Sequence, residues 1–340
     1  MLQPANLCAM RVLVTGATGF LGVHTCRELL SRGHQVRAFG RNFDGFSVAG
    51  TQIVHGDLRD PGMVRHVCAG IDGVVHAGAL SSPWGTPEDF MAVNVNGTQS
   101  VLEACTAAGV RRLVHISSPA VIFSGKDHVL ERDDAPYPQR FSSHYAHSKK
   151  RAEELVLEAR DRFELIVLRP KAIYGPGDRT LLPRLVSAAR SRRLPQVGSG
   201  ENLIDLTFVD DAVRAIVLAL ECPAPRSDFP VYTITSGEHV NLWRLIRRLL
   251  EALGIRPRLR VVPVRAMLIL AGWLEQMAII TGREPALTRY GVELLARTQT
   301  YDISRAKSDL GFEPRCGLEL GLQRTIDAML ARQSQGRLSG

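Results

Sequence analysis

The sequence predicts an α/β fold: a doubly wound parallel sheet with a smaller, mostly helical C-terminal part. Three observations predict it. Apolar strand-like runs alternate with amphipathic helical patterns through the first half of the chain. Several of those runs show little period-two alternation and are rich in Val, Leu and Ile, as strands buried on both faces are. A glycine-rich turn, Gly16-x-x-Gly19-x-x-Gly22, joins the first run to the first helical pattern.

Taken in order, the strand-like runs are "RVLVTG", "HQVRAFG", "TQIVHG", "GVVHAGA", "RRLVHISS" and "FELIVLRP". Helical patterns fall between them, near Gly19 to Arg32, Pro61 to Ala69, Pro87 to Ala108 and Ser142 to Arg160. Right-handed crossovers then give a doubly wound sheet. After Pro170 the rhythm changes. "IYGPGDRTLLPRL" is too rich in Gly and Pro to be one helix, and beyond it come helices, a short strand "VYTITS" and the tail "YDISRAKSDLGFEPR". The expected division is 10–175 for the sheet domain, with later strands returning to it, and 176–330 for a substrate-binding part. Residues 1–9 and 331–340 are expected to be disordered ends, with Met10 a candidate start.

Composition narrows the function classes. The 340 residues are 45% hydrophobic and 22% charged, enough for a full core. The net charge of +8 fits solvated basic faces, or attraction to phosphates, acidic substrates or an anionic membrane. Nucleic acid is not expected as a partner: there is no zinc-finger spacing and no basic run interleaved with aromatics. The six cysteines contain no C-x-x-C pair and read as small buried hydrophobes in a reducing, cytoplasmic setting, with no metal site. The N-terminus lacks the pattern of a signal peptide. The apolar window Val261 to Ile280 has the length of a membrane span but holds Pro263, Arg265 and Glu275. A central charge costs roughly 2.5–3.5 kcal/mol on insertion. A packed or pocket-lining helix is the leading expectation there, ahead of peripheral membrane or oligomer contact.

The glycine turn is read as a dinucleotide cradle. Gly16 permits the sharp turn, Gly19 lets backbone approach a pyrophosphate, and Gly22 lets the helix pack close to the sheet. Thr18, Phe20 and Leu21 complete the loop, and the helix N-terminus offers free N–H groups to the phosphates. The second strand ends in Gly40 and Arg41 instead of a carboxylate that would bind ribose hydroxyls. Arg41 can fork onto a 2′-phosphate, which favours NADP(H), or it can stack on adenine and leave NAD(H) equally acceptable. Asp57 and Leu58 follow the third strand where an adenine edge would lie, and Ala77, Gly78 and Ala79 leave room after the fourth.

The stretch "SSHYAHSKKRAEELVLEA" carries the chemistry. Tyr145 and Lys149 lie four apart, on one helical face. An ammonium beside a phenol favours the phenolate and makes an acid/base for an alcohol oxygen. A hydroxyl from Ser118, or its neighbour Ser117, can hold the reacting oxygen.

With these motifs the chain resembles an extended short-chain dehydrogenase/reductase with a Rossmann fold, from "TGATGFLG" to "DLGFEPR". The resemblance rests also on "GDLRD", "NVNGT", "YAHSK" and "LRPKAIYGPGD". It implies that Ser118, Tyr145 and Lys149 are the catalytic set, and it favours Ser118 over Ser117. Lys149 would also bind the nicotinamide ribose, Asn94 would support the central helix or a relay water, and Pro170 to Ile173 would close over the nicotinamide. Ile122 stands where many sugar-nucleotide members carry Tyr. The likeness is strongest to the 3β-hydroxysteroid dehydrogenase group, which includes sterol-4-carboxylate dehydrogenases and bacterial 2-alkyl-3-oxoalkanoate reductases. It implies an NAD(P)-dependent alcohol/ketone oxidoreductase of lipid metabolism acting on a bulky hydrophobic molecule. Arg179 or Arg184 would meet a substrate carboxylate. Two other readings remain: a sugar-nucleotide epimerase or dehydratase, and a dinucleotide-sensing protein without catalysis. By the same analogy, the helices at Pro87 to Ala108 and Ser142 to Arg160 would form a homodimer.

Overall fold

The computed structural model describes residues 9–191, 194–222, 229–256 and 259–338, with side chains described up to residue 332. Seven strands form the central sheet: β1 (Arg11–Thr15), β2 (Gln35–Gly40), β3 (Gln52–His55), β4 (Gly73–His76), β5 (Arg112–Ile116), β6 (Glu164–Pro170) and β7 (Val231–Ile234). Their order is β3-β2-β1-β4-β5-β6-β7, every pair parallel. The order reverses beside β1, which opens a crevice at the C-terminal strand ends, where ligands of such sheets bind. β7 is the run "VYTI", returned to the sheet from far along the chain.

Alternation along each strand serves two buried faces. Val12 and Val14 point to one face with Cys26, Leu29 and Ile216; Leu13 points to the other with Val64, Val101 and Leu165. The helices Phe20–Ser31 and Val209–Glu221 cover the first face, while Pro61–Cys68, Gly97–Ala108 and His144–Glu158 cover the second. Truncating a residue such as Leu13 would therefore leave a cavity costing about 2–5 kcal/mol. The expected helix from Pro87 to Ala108 forms with an internal π segment at Met91–Asn96. Such a widened turn is frequent at functional sites, and here it places Asn94.

A separate core around Tyr174, Phe208, Trp243, Leu250 and Val292 holds the C-terminal part. That part is mostly helical, but short strands cross it. Gln299–Tyr301 pairs with Leu203–Ile204 on one side and His128–Glu131 on the other. The C-terminal end expected to be disordered instead continues as helix from Leu318 to Leu338. Residues 1–8 and 339–340 lie outside the described residues. Among the described cysteines Cys26, Cys68, Cys105 and Cys316 are buried, and none is in a disulfide.

The greasy window forms a helix, Val264–Thr281, long and apolar enough to cross a membrane by length and composition. Only Met267, Ala271, Glu275 and Ala278 are buried. Ile269, Trp273 and Ile280 are 65%, 70% and 77% exposed. A narrow stripe packs, and most of the apolar surface faces out.

Candidate active site

One cleft of about 1130 Å³ runs along the strand ends. It brings together Gly16, Thr18, Gly19, Phe20, Leu21, Gly22, Arg41, Asp57, Leu58, Ala77, Gly78, Ala79, Ser118, Tyr145, Lys149, Pro170 and Ile173. Of the site residues read from the sequence, Asn94 and Arg184 are not in its wall.

The glycine loop shows what each bare position is for. Gly16 has φ +66°, and a Cβ there would fall 2.7 Å from Gly78 Cα. On Gly22 a Cβ would fall 2.2 Å from the Gly16 carbonyl oxygen. Both glycines are demanded by backbone contact. Gly19 differs: a Cβ there would meet only Gly16 O, at 3.1 Å, and its open side belongs to the cleft. Gly19 is also the N-cap of Phe20–Ser31, with no side chain capping the helix. The first-turn N–H groups thus have no side-chain cap at a positive dipole end, in a cradle that a Cβ would narrow. These residues fit a dinucleotide pyrophosphate.

Thr15 and His76, which the sequence reading passed over, brace this loop. Gly78 N–H donates to Thr15 Oγ1 at 3.0 Å, and Thr15 meets His76 Nδ1 at 2.8 Å. Across the ring, Nε2 meets Thr98 Oγ1 at 2.9 Å, and Thr98 donates to Asn94 O at 2.6 Å. Thr15 therefore donates to Nδ1 and Nε2–H donates to Thr98, which makes His76 neutral. Burial, aided by Lys149, pushes its pKa down to about 3. The His115 ring lies 5.3 Å away, tilted by 43°, with both ring nitrogens unpartnered. Burial pushes its pKa well down too.

Asp57 receives both arms of Arg59, at 2.7 and 3.0 Å. That contact holds its carboxyl below the usual range, with Arg41 contributing. Arg41 is exposed at the end of β2. Asn94 lies behind the cleft wall. Its oxygen accepts from Leu80 N–H at 2.6 Å, and its amide donates to Leu80 O and to Ser148 Oγ. It ties the loop after β4 to the helix of Tyr145, which matches the support role and not cofactor contact.

Tyr145 and Lys149 rise from the helix His144–Glu158, capped by Ser143. Burial pushes the Tyr145 phenol up, and its hydrogen bond with Ser118 pulls it back. The Ser118 hydroxyl also accepts from Ala120 N–H at 3.2 Å, which fixes the serine at the start of a tight turn. Ser117 lines the cleft too, with its buried hydroxyl unpartnered. Of the two serines, Ser118 is the one that acts on the Tyr145 phenol. Lys149 donates to Ile116 O at 2.7 Å. Burial pushes its amine down to about 8, against the pull of Glu153. The expectation that Lys149 itself lowers the Tyr145 pKa is not met in this geometry, because the ammonium is turned to the Ile116 carbonyl and burial dominates at the phenol. One turn on, Glu153 accepts from Arg169 and from Tyr137 Oη, the latter at 2.7 Å. This buried pair anchors the catalytic helix to β6.

The substrate half adds residues from far along the chain: Lys171, Tyr290, Leu294 and Gln299. Arg179 lines this cleft. Arg184 is not among its lining residues and pairs with Glu284 at 3.2 Å on the surface, so it is not placed to meet a substrate.

A dinucleotide-binding sheet with a serine, a tyrosine and a lysine in its cleft defines an NAD-dependent oxidoreductase of the extended short-chain dehydrogenase/reductase class. Residues 13–264 match the 3-beta hydroxysteroid dehydrogenase/isomerase family, and the chain belongs to that family. It is 39% identical to a 2-alkyl-3-oxoalkanoate reductase of Stenotrophomonas maltophilia, over 93% of this chain and 98% of that one. It is 30% identical to a mouse sterol-4-alpha-carboxylate 3-dehydrogenase, decarboxylating, over 94% and 91%. Among solved structures, MoeE5 in complex with UDP-glucose and NAD superposes with a TM-score of 0.75 at 29% identity, covering 96% of this chain and 99% of that one.

Proposed function

We propose that the protein interconverts a secondary alcohol and a ketone on a bulky hydrophobic acid, with NADP(H) preferred over NAD(H). The observation that carries this is that Ser118, Tyr145 and Lys149 line one cleft continuous with the glycine loop. The names of two relatives support the substrate class. A 2-alkyl-3-oxoalkanoate and a sterol-4-alpha-carboxylate each carry a carboxylate one carbon from the reacting carbon 3.

When bound, the nicotinamide supplies or accepts the hydride. Ser118 and Tyr145 hold the substrate oxygen from one side. In reduction Tyr145 passes its proton to that oxygen; in oxidation it takes the proton back. Its high pKa keeps the phenol protonated and ready to donate until a cation comes close. Lys149, one helical turn along from Tyr145, is a cation in the same cleft. Arg41, with no acid at the end of β2, supports a 2′-phosphate.

The panel that tests this offers a long-chain 2-alkyl-3-hydroxy acid, a 3β-hydroxysteroid and a UDP-sugar, each with NADP⁺ and NAD⁺. Turnover of the acid with NADP⁺ is expected. Turnover of the UDP-sugar with no net change in nicotinamide would move the reading to an epimerase or dehydratase.

The same reading gives the protein a lipid face. Glu275, the one acid in Val264–Thr281, is turned inward onto Arg289, and Arg265 and the following Arg283 leave a cation at each end. An apolar ridge framed by cations suits an anionic bilayer. Sedimentation with phosphatidylglycerol vesicles is expected to carry the protein down, and Trp273→Asp to release it. Equal recovery without vesicles would contradict it. A homodimer through the helices of Asn94 and Tyr145 is the expected assembly; a monomeric mass by light scattering would refute it.

A further inference from the structure

Lys171 is the first residue past the end of β6, and the substrate half of the cleft gathers around it. Ser117 N–H donates to Leu168 O at 2.7 Å, so β5 and β6 end side by side. Neighbouring strands lie about 4.8 Å apart. Ser118 and Lys171 therefore leave adjacent strand ends into one cleft. The Lys171 backbone is pinned on both edges. Its N–H donates to Ile234 O at 3.0 Å and to Thr207 Oγ1 at 3.1 Å, and its carbonyl accepts from Thr207 at 2.7 Å. Ala172 follows with φ +44°, a left-handed conformation that is costly for a residue with a side chain. The lysine is set rigidly, unlike a surface lysine on a flexible loop.

Its ammonium has only neutral partners. Nζ donates to Gln299 Oε1 at 2.5 Å and lies 5.8 Å from the centre of the Tyr301 ring. The Gln299 amide group is committed to Leu294 O and Arg297 O, so its oxygen is held toward Lys171. Asp205 pulls on Lys171 electrostatically but its oxygens are engaged, one with His239 at 2.6 Å and the other with Tyr301 N–H at 2.9 Å. Among the described residues no carboxylate forms an ion pair with Lys171. Burial accordingly pushes its amine down to about 8. A desolvated cation that lacks an anion is unfavourable by itself. Since Lys171 lines the cleft, an anion bound there would complete it.

We propose that Lys171 binds the substrate carboxylate and so selects 3-oxo and 3-hydroxy acids over neutral alcohols of equal bulk. This rests on the acid reading above. The geometry suits that chemistry: one strand end holds the reacting oxygen, and its neighbour holds a cation for a carboxylate one carbon away. Lys171, not Arg179 or Arg184, is then the specificity residue.

The test is calorimetric binding of 2-octyl-3-hydroxydodecanoate and its methyl ester to the NADPH-loaded protein, a pairing that cannot turn over. A charge-assisted bond predicts that the wild-type protein binds the acid about 10- to 100-fold more tightly than the ester. Lys171→Met should bring that ratio close to one, and Lys171→Arg should retain most of it. Gln299→Glu supplies an internal carboxylate to Lys171 and should lower the ratio about tenfold without enlarging any side chain. A ratio unchanged in both Lys171→Met and Gln299→Glu would overturn the assignment. So would equal binding of acid and ester by the wild-type protein; if that protein still oxidises the acid, the functional reading survives alone. If it binds neither and oxidises only a 3β-hydroxysteroid, the acid reading falls and the Lys171 assignment with it.

Discussion

The two halves of the cleft are built from different materials. The cofactor half is walled by backbone: Gly16, Gly22 and Gly78 sit so close that a Cβ on any of them would fall within 3 Å of another atom. The substrate half is walled by side chains that converge from separate segments, including Lys171, Tyr290 and Gln299. A backbone wall admits one shape of ligand and tolerates almost no substitution. A side-chain wall can be re-cut residue by residue while the sheet beneath stays the same. One fold can thereby keep its cofactor and change its substrate.

This contrast predicts different failures on the two sides. At the junction, Tyr145→Phe removes the proton but nothing from either wall. Turnover should fall about 10²- to 10⁴-fold, with the dissociation constant for NADPH nearly unchanged. Steady-state rates and fluorescence titration check the two parts. If binding fell as much as rate, Tyr145 would belong to the cofactor wall instead.

On the cofactor side, Gly22→Val drives carbon atoms into the Gly16 carbonyl and Ala17. NADPH affinity should drop about 100-fold or more, together with the melting temperature. A variant that binds normally would show that the loop has slack.

Beneath the same wall, His76 and His115 are neutral when folded. Each would bind a proton near pH 6.5 when unfolded, so the unfolded state takes up protons first as pH falls. Stability should be full above pH 6.5 and decline below it, toward about pH 3 for His76. Urea unfolding at pH 7 and pH 5 should show that loss shrinking by about 2 kcal/mol in His115→Leu. His115 is chosen because its ring nitrogens have no partner to strand. An unchanged loss would mean that other groups govern acid stability.

The smallest effect is expected at Arg41, which is exposed and touches the cofactor half only at its edge. Arg41→Ala should reduce the preference for NADPH over NADH about tenfold, seen in the ratio of their kcat/KM values. Equal losses for both cofactors would assign Arg41 to adenine stacking.

The same contrast explains what was legible in the sequence. Gly16, Gly19 and Gly22 act through spacing within one turn, and Tyr145 and Lys149 through one turn of helix. Those relations are local, so the chain displays them. Lys171 stands in the open within "RPKAIYGPGD", yet nothing local separates it from a surface lysine. The partner of its ammonium is Gln299, 128 residues away, delivered by a short strand that periodicity does not reveal. Tyr290 arrives from a helix, Arg289–Ala296, equally remote in sequence. His76 and His115 read as ordinary strand residues, because only the parallel register of β4 and β5 sets them side by side. Arg184 shows the converse: nearness in sequence to the cleft says nothing of the Glu284 that holds it outside, which leaves Arg179 as the one of the two in the wall.

The proposed reaction is net hydride transfer between the two halves, at a carbon whose oxygen is held by Ser118 and Tyr145. A single turnover with NADPH deuterated at both C4 positions and a long-chain 2-alkyl-3-oxo acid, followed by mass spectrometry of the product, tests it directly. Deuterium at carbon 3 of the hydroxy acid, absent with Tyr145→Phe, is the predicted result. Label that stays entirely on the nicotinamide while the wild-type protein binds both ligands would contradict the account.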